Sequence, residues 1–221
     1  MLRIGNDIVD LTHHHVQGKS TDTRFRKRVF LPDEERFILA DAQPDAMLWA
    51  LWTGKEAAYK AVRKDYADIP SIPRRYRVRI EKEYEVNKEC LLLPGRRFLY
   101  GTVETPQGNI YLETTITPDY AHSIATSFFP TPGKKIVFQV KRMLKSKNAS
   151  PAYESSYVRD AAKKRLSRYL KGGTDDIEIR RDKGPGGLGP PYVHFQKQAA
   201  PIDISLSHDG AFAAYAFTVC P

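Results

Sequence analysis

The order of patterns along the chain predicts an α+β fold of two similar halves. Residues 32–64 carry helical periodicity, and residues 76–129 switch to a period of two. After a break at Pro130–Gly133, helical material followed by several strands returns.

The chain opens on "LRIGNDIVDL", an apolar stretch rich in β-branched residues that reads as a strand. "LPDEERFILADA" sets Pro32, Asp33, Glu34 and Glu35 ahead of an apolar pattern, and proline with acids in a first turn suits a helix N-terminus. "DAMLWALWTGKEAAYKAVRK" places Leu48, Leu51, Trp52, Ala58, Tyr59 and Val62 at helical spacing, until Pro70 and Pro73 end the region. "YRVRIEKEY" alternates, "RRFLYGTVETPQGNIYLETTI" reads as a hairpin about Pro106–Asn109, and "HSIATSFF" as another strand. Beyond the break, "KIVFQV" is a strand, and "SPAYESSYVRDAAKKRLSRYL" is an amphipathic helix closed by Gly172 and Gly173. "DIEIRR", "PYVHF", "IDISLS" and "AFAAYAFTV" complete the strands. The expected halves are residues 1–130 and 134–221, with a cleft between them as the natural place for a ligand.

Composition narrows the function classes. No run of ~18 apolar residues exists, so no transmembrane helix is expected. The early Gly-Asn-Asp triplet interrupts what a signal peptide would need, so export is not expected. Cys90 and Cys220 have no metal-ligand or redox spacing, and a reducing cytoplasm is the simplest setting. A net charge of +9 favours an anionic partner: nucleic acid, a phosphorylated small molecule or an acidic protein.

Three places carry candidate chemistry. Asp7 follows Gly5, which allows close backbone approach, and Asp7 shares a strand face with Val9. It is a turn former or an oxygen ligand. Glu56 and Lys60 stand one helical turn apart. On an exposed helix such a pair contributes only ~0.3–0.5 kcal/mol. Trp49, Trp52, Ala57, Ala58 and Tyr59 surround it, however, so part of this turn should be desolvated, and a buried charge needs a partner. The third is "ISLSHDG", an apolar strand ending in Ser207-His208. No Gly-x-Ser-x-Gly elbow supports an acylation dyad, and phosphate binding suits the basic chain better. The Gly/Pro-rich "RRDKGPGGLGPPYV" matches no phosphate-loop pattern. His13–His15 reads as a surface cluster, because consecutive residues of a strand or helix do not converge on one ion.

Together these elements resemble the 4'-phosphopantetheinyl transferases. The family's Gly-x-Asp strand is similar to "GNDIVDL", its Trp-x-x-Lys-Glu-Ala/Ser-x-x-Lys helix to "WTGKEAAYK", and its Ser-His signature to "ISLSHDG". "RKRVFLPDEERF" resembles the segment between the first two motifs. The Asp strand opens the chain as in the small holo-acyl-carrier-protein synthases, while the length matches the large surfactin-type enzymes. The segment from Ser150 to Phe217 looks like the large type's N-terminal half moved to the C-terminus, as in a circular permutation. Val9 stands where large members carry a second acid, and Gly189–Pro191 where they carry Gly-Lys-Pro, with Lys183 as a substitute.

The resemblance implies a transferase-like fold of two α+β halves in a pseudo-two-fold arrangement, acting as a cytoplasmic monomer. It implies transfer of 4'-phosphopantetheine from coenzyme A to a serine of an acyl or peptidyl carrier protein, with release of 3',5'-ADP. Asp7 and Glu56 would hold Mg²⁺, with Lys60 beside them and Glu56 as candidate base. Ser207, His208, Lys60, Lys55, Lys183 and Arg28 would contact coenzyme A. Acidic carriers would be steered to the basic chain, with Arg24, Arg26 and Arg28 as the first docking candidates. A nucleic-acid-binding module explains the charge but leaves Asp7 and Glu56 without a role. A homologue that binds coenzyme A or a carrier without catalysis is the other alternative.

Overall fold

A computed structural model describes residues 2–86, 95–128, 135–144, 150–184 and 187–219. The expected Pro130–Gly133 boundary, Cys90 and Cys220 lie outside the described residues. The opening strand β1 (Ile4–Asp10) is buried at every position, which is why it shows no solvent-facing alternation. Next comes a helix that the sequence reading did not place, α1 (Thr23–Val29), capped by the Asp22 side chain accepting from Phe25 N–H. The expected α2 (Pro32–Ala40) starts at Pro32, and Glu34 closes its first turn by accepting from Leu31 N–H. The long α3 (Pro44–Val62) carries the Lys-Glu motif.

Four strands complete the first half: β2 (Arg77–Glu85), β3 (Arg97–Thr105), β4 (Gly108–Ile116) and β5 (Tyr120–Thr126). The second half holds β6 (Lys135–Arg142), α4 (Pro151–Leu170) and β7 (Ile177–Arg180), a small ribbon of β8 (Lys183–Gly184) and β9 (Gly187–Leu188), then β10 (Tyr192–Phe195), β11 (Gln198–Asp209) and β12 (Phe212–Val219). The sheets have the orders β1-β5-β4-β3-β2 and β6-β12-β11-β10-β7, with all pairs antiparallel. With the ribbon set aside, both run first, fifth, fourth, third, second. Short helices and the ribbon aside, each half is one strand, one long helix and four strands.

Each long helix covers its own sheet. Leu48, Leu51 and Ala58 of α3 belong to one core with Leu99, Val103 and Leu112, and Val158, Ala162 and Leu166 of α4 to another with Ile204, Leu206 and Phe217. α4 ends on Lys171 in the left-handed region at φ 53°, one residue before the expected glycines. Gly172 serves a close approach instead, since a Cβ there would lie 2.5 Å from the Phe195 ring. Strand β12 is wholly buried because it serves two cores. Ala213, Tyr215 and Phe217 pack in the α4 core, while Ala214 and Ala216 pack with Ile8 and Ile4 of the first half.

The halves are joined by an unusual ladder. β1 is the edge of its sheet, and alternate N–H groups point away from β5. Short side chains of β11 accept them: Ile4 N–H donates to Asp203 Oδ2 (2.6 Å), Asn6 N–H to Ser205 Oγ (2.9 Å), Ile8 N–H to Ser207 Oγ (3.2 Å) and Asp10 N–H to Asp209 Oδ2 (2.8 Å). Lys64 fastens one end, reaching Ile4 O (2.6 Å), Asp203 Oδ2 (2.7 Å) and Ile204 O (2.8 Å).

Candidate active site

Gly5 is where β1 and α3 touch. A Cβ there would lie 1.9 Å from Ala57 O and 2.8 Å from Ala61 N, so only glycine lets the strand pass so close to the helix backbone. That approach sets Asp7 beside the helix turn bearing Glu56 and Lys60. Lys60 Nζ donates to Asp7 Oδ1 (2.6 Å) and Asn6 O (3.1 Å). Lys60 thus pairs across to the strand, and among the described residues no hydrogen bond or ion pair holds Glu56. Burial first, and then the charge of Asp7, push the Glu56 carboxyl up to about 7, against an opposing pull from Lys60. Trp49 and Trp52 wall this side, as the flanking residues suggested.

The cleft measures about 610 Å³ and reaches both halves, since Glu154 of α4 and His208, Asp209 and Gly210 of the second half line it too. His208 Nδ1 lies 2.9 Å from Glu154 Oε2, which holds the ring toward the cleft. Asp209 was missed by sequence reasoning. Burial pushes its carboxyl up, Asp10 and Asp7 add to this, and the bond from the Asp10 N–H opposes it. The sharp turn behind it needs Gly210, at φ 51° with Asp10 packed against its Cα.

The structure thus brings Asp7, Glu56, Lys60 and His208 together. Ser207 is adjacent but committed: its hydroxyl donates to Asp7 Oδ1 (3.0 Å) and accepts from Ile8 N–H. It orients Asp7, which differs from the phosphate contact expected of it. Three other expected contacts are not at the cleft. Lys55 is fully buried on another face of α3, where Nζ meets both Glu34 carboxylate oxygens (2.7 and 2.8 Å) and Tyr76 O. Arg28 is exposed, its guanidinium 5.7 Å from the Phe25 ring centre. Lys183 is exposed on β8. Arg26, a docking candidate, is buried, bonded to Ser20 O and 3.5 Å from Glu35.

A second hollow opens on the other side of Lys60, lined by Tyr59, Arg63, Arg181, Gly189 and Pro191. Burial, followed by the like charges of Arg159 and Arg63, pushes the Arg181 guanidinium down. Its buried Nε has no hydrogen-bond partner among the described residues. Guanidiniums gathered without a carboxylate are an anion site by chemistry. The sequence held a signal for Arg63, one turn beyond Lys60 on the same helix face. For Arg181 it offered only the choice among three basic residues in "RRDK".

Residues 3–90 match the family model described as 4'-phosphopantetheinyl transferase superfamily. The match holds β1, α1 to α3 and β2, with Asp7, Glu56 and Lys60, and so covers the first two motifs of the resemblance. The superfamily is one of transferases. No curated protein matches the chain. No helix among the described residues is long and apolar enough to cross a membrane.

Proposed function

We propose that this chain transfers 4'-phosphopantetheine from coenzyme A to a serine hydroxyl of an acyl or peptidyl carrier protein, releasing 3',5'-ADP, as holo-acyl-carrier-protein synthases do. One observation carries the reading. Two carboxylates, Asp7 and Glu56, face one cleft inside the segment that matches the superfamily, and burial, with the charge of Asp7 added, raises the Glu56 carboxyl to about 7.

That donor set fits Mg²⁺. Both groups are hard oxygen donors, and a cation between them would offset the burial and the Asp7 charge that raise Glu56. Bound there by Asp7 and Glu56, Mg²⁺ would supply charge neutralisation to a diphosphate. The residues do the rest. Ser207 and Lys60 fix Asp7, and Lys60 lies between the cleft and the arginine hollow, placed to follow a diphosphate spanning both. Arg63 and Arg181 receive the nucleotide phosphates, in place of Lys183 and Lys55. His208, steadied by Glu154, binds phosphate from the second half. Glu56, facing the cleft beside Asp7, is the candidate base for the carrier serine proton. Phosphoryl transfer needs mainly such positioning and charge. Arg24 and Arg28, both exposed, remain the docking candidates for an acidic carrier.

The test is incubation with coenzyme A, Mg²⁺ and purified apo-carriers of the fatty-acid, polyketide and peptide classes. One phosphopantetheine added to the carrier serine, with 3',5'-ADP released, is the expected result. No mass gain on any carrier would refute the proposal.

A further inference from the structure

The turn leaving β1 holds a cluster that the proposed transfer does not use. His13, His14 and His15 present three exposed imidazoles with ring centres 3.7 to 4.9 Å apart. One nitrogen of each lies within 4.8 Å of the other two. Convergence of consecutive residues is excluded on a strand or helix, but these sit in a turn, where backbone direction changes at each step.

The turn is fastened on both sides. Leu11 N–H donates to Asp119 O (2.8 Å), and Asp10 Oδ1 accepts from Thr12 N–H (2.9 Å) and Thr12 Oγ1 (2.6 Å). Val16 N–H donates to His13 O (3.0 Å), and Trp49 Nε1 holds Val16 O (2.9 Å). The three rings therefore start from a fixed base. No ion pair among the described residues engages any of them.

We propose that His13, His14 and His15 form a binding site for a divalent transition ion of the zinc class, at the mouth of the cleft that His13 and His15 line. Three neutral imidazoles with one water make a four-coordinate zinc shell. Tetrahedral Zn–N bonds of ~2.0–2.1 Å require nitrogens ~3.3 Å apart, which exposed rings reach by side-chain rotation. Imidazole selects such ions over Mg²⁺, so Mg²⁺ in excess occupies the oxygen donors of Asp7 and Glu56 and leaves the three histidines to zinc.

The test does not depend on transfer activity. Zn²⁺ is titrated calorimetrically into the full chain in excess Mg²⁺, beside His14→Ala and the triple variant His13→Ala/His14→Ala/His15→Ala. We expect one Zn²⁺ per chain, affinity about tenfold weaker in His14→Ala and loss of the site in the triple variant. Without zinc, melting temperatures should be unchanged, since the rings are exposed. Absence of binding, affinity unchanged in the triple variant, or affinity no tighter than in the urea-unfolded chain overturns the proposal.

Discussion

Glu56 sits where its charge is costly in the absence of a cation. Its carboxyl, raised to about 7 from an ordinary 4.5, holds a proton in the fold that the unfolded chain has already lost. The stability this gives is complete below about pH 4.5 and is lost as pH rises through about 7, on the order of 3 kcal/mol in all. Glu56→Gln should therefore leave the metal-free fold more stable than wild type at pH 8 and equal to it near pH 4, while abolishing transfer. Thermal melts across this range check the first half, and the carrier mass gain checks the second. A variant of equal stability at pH 8 would place Glu56 in water. The neighbouring Lys55 shows what residue-level reading overlooked. It lies 100° round the helix from Glu56, whereas Lys60 lies 40° away, so helical phase alone sends Lys55 to Glu34 and keeps Lys60 with Glu56.

At the scale of elements, β11 holds the most informative pattern and the one least legible beforehand. Asp203, Ser205, Ser207 and Asp209 alternate with Ile204, Leu206 and His208. Such alternation ordinarily means a strand with one wet face. Here the polar face is dry, because it caps the edge of a strand 199 positions earlier in the chain. Nothing local announces a partner at that distance, which is why Ser207 read as a phosphate ligand. Strand and helix placement needed only local signals, so most elements were readable. The Asp203–Lys64 pair tests the ladder. Lys64 is buried, and burial pushes its amine down to about 8 against the pull of Asp203. Asp203→Ala leaves that cation without its counter-charge and the Ile4 N–H without its acceptor, so we expect a loss of about 3–5 kcal/mol in urea unfolding. Adding Lys64→Met should recover part of it. Additive losses in the double-mutant cycle would show that the pair does not couple the halves.

At the scale of the molecule, the two sheets share one strand order, and we propose that residues 1–130 and 134–221 are two halves of one site. The cleft draws Asp7 and Glu56 from the first and Glu154 and His208 from the second, so one chain supplies every side of it. A second subunit would then add nothing to the site, and we expect a monomer near 25.1 kDa by light scattering that keeps full specific activity on dilution. Mixing is the sharper experiment. A Glu56→Gln chain lacks the first half's contribution, and a His208→Ala chain, assayed at limiting coenzyme A, lacks the second's. If sites formed between subunits, mixed oligomers would pair the intact half of each and regain activity. If each site forms within one chain, every site in the mixture carries one defect and the rates only add. We expect simple addition at all ratios. Recovery above that sum would mean that the halves meeting in the functional site come from different chains.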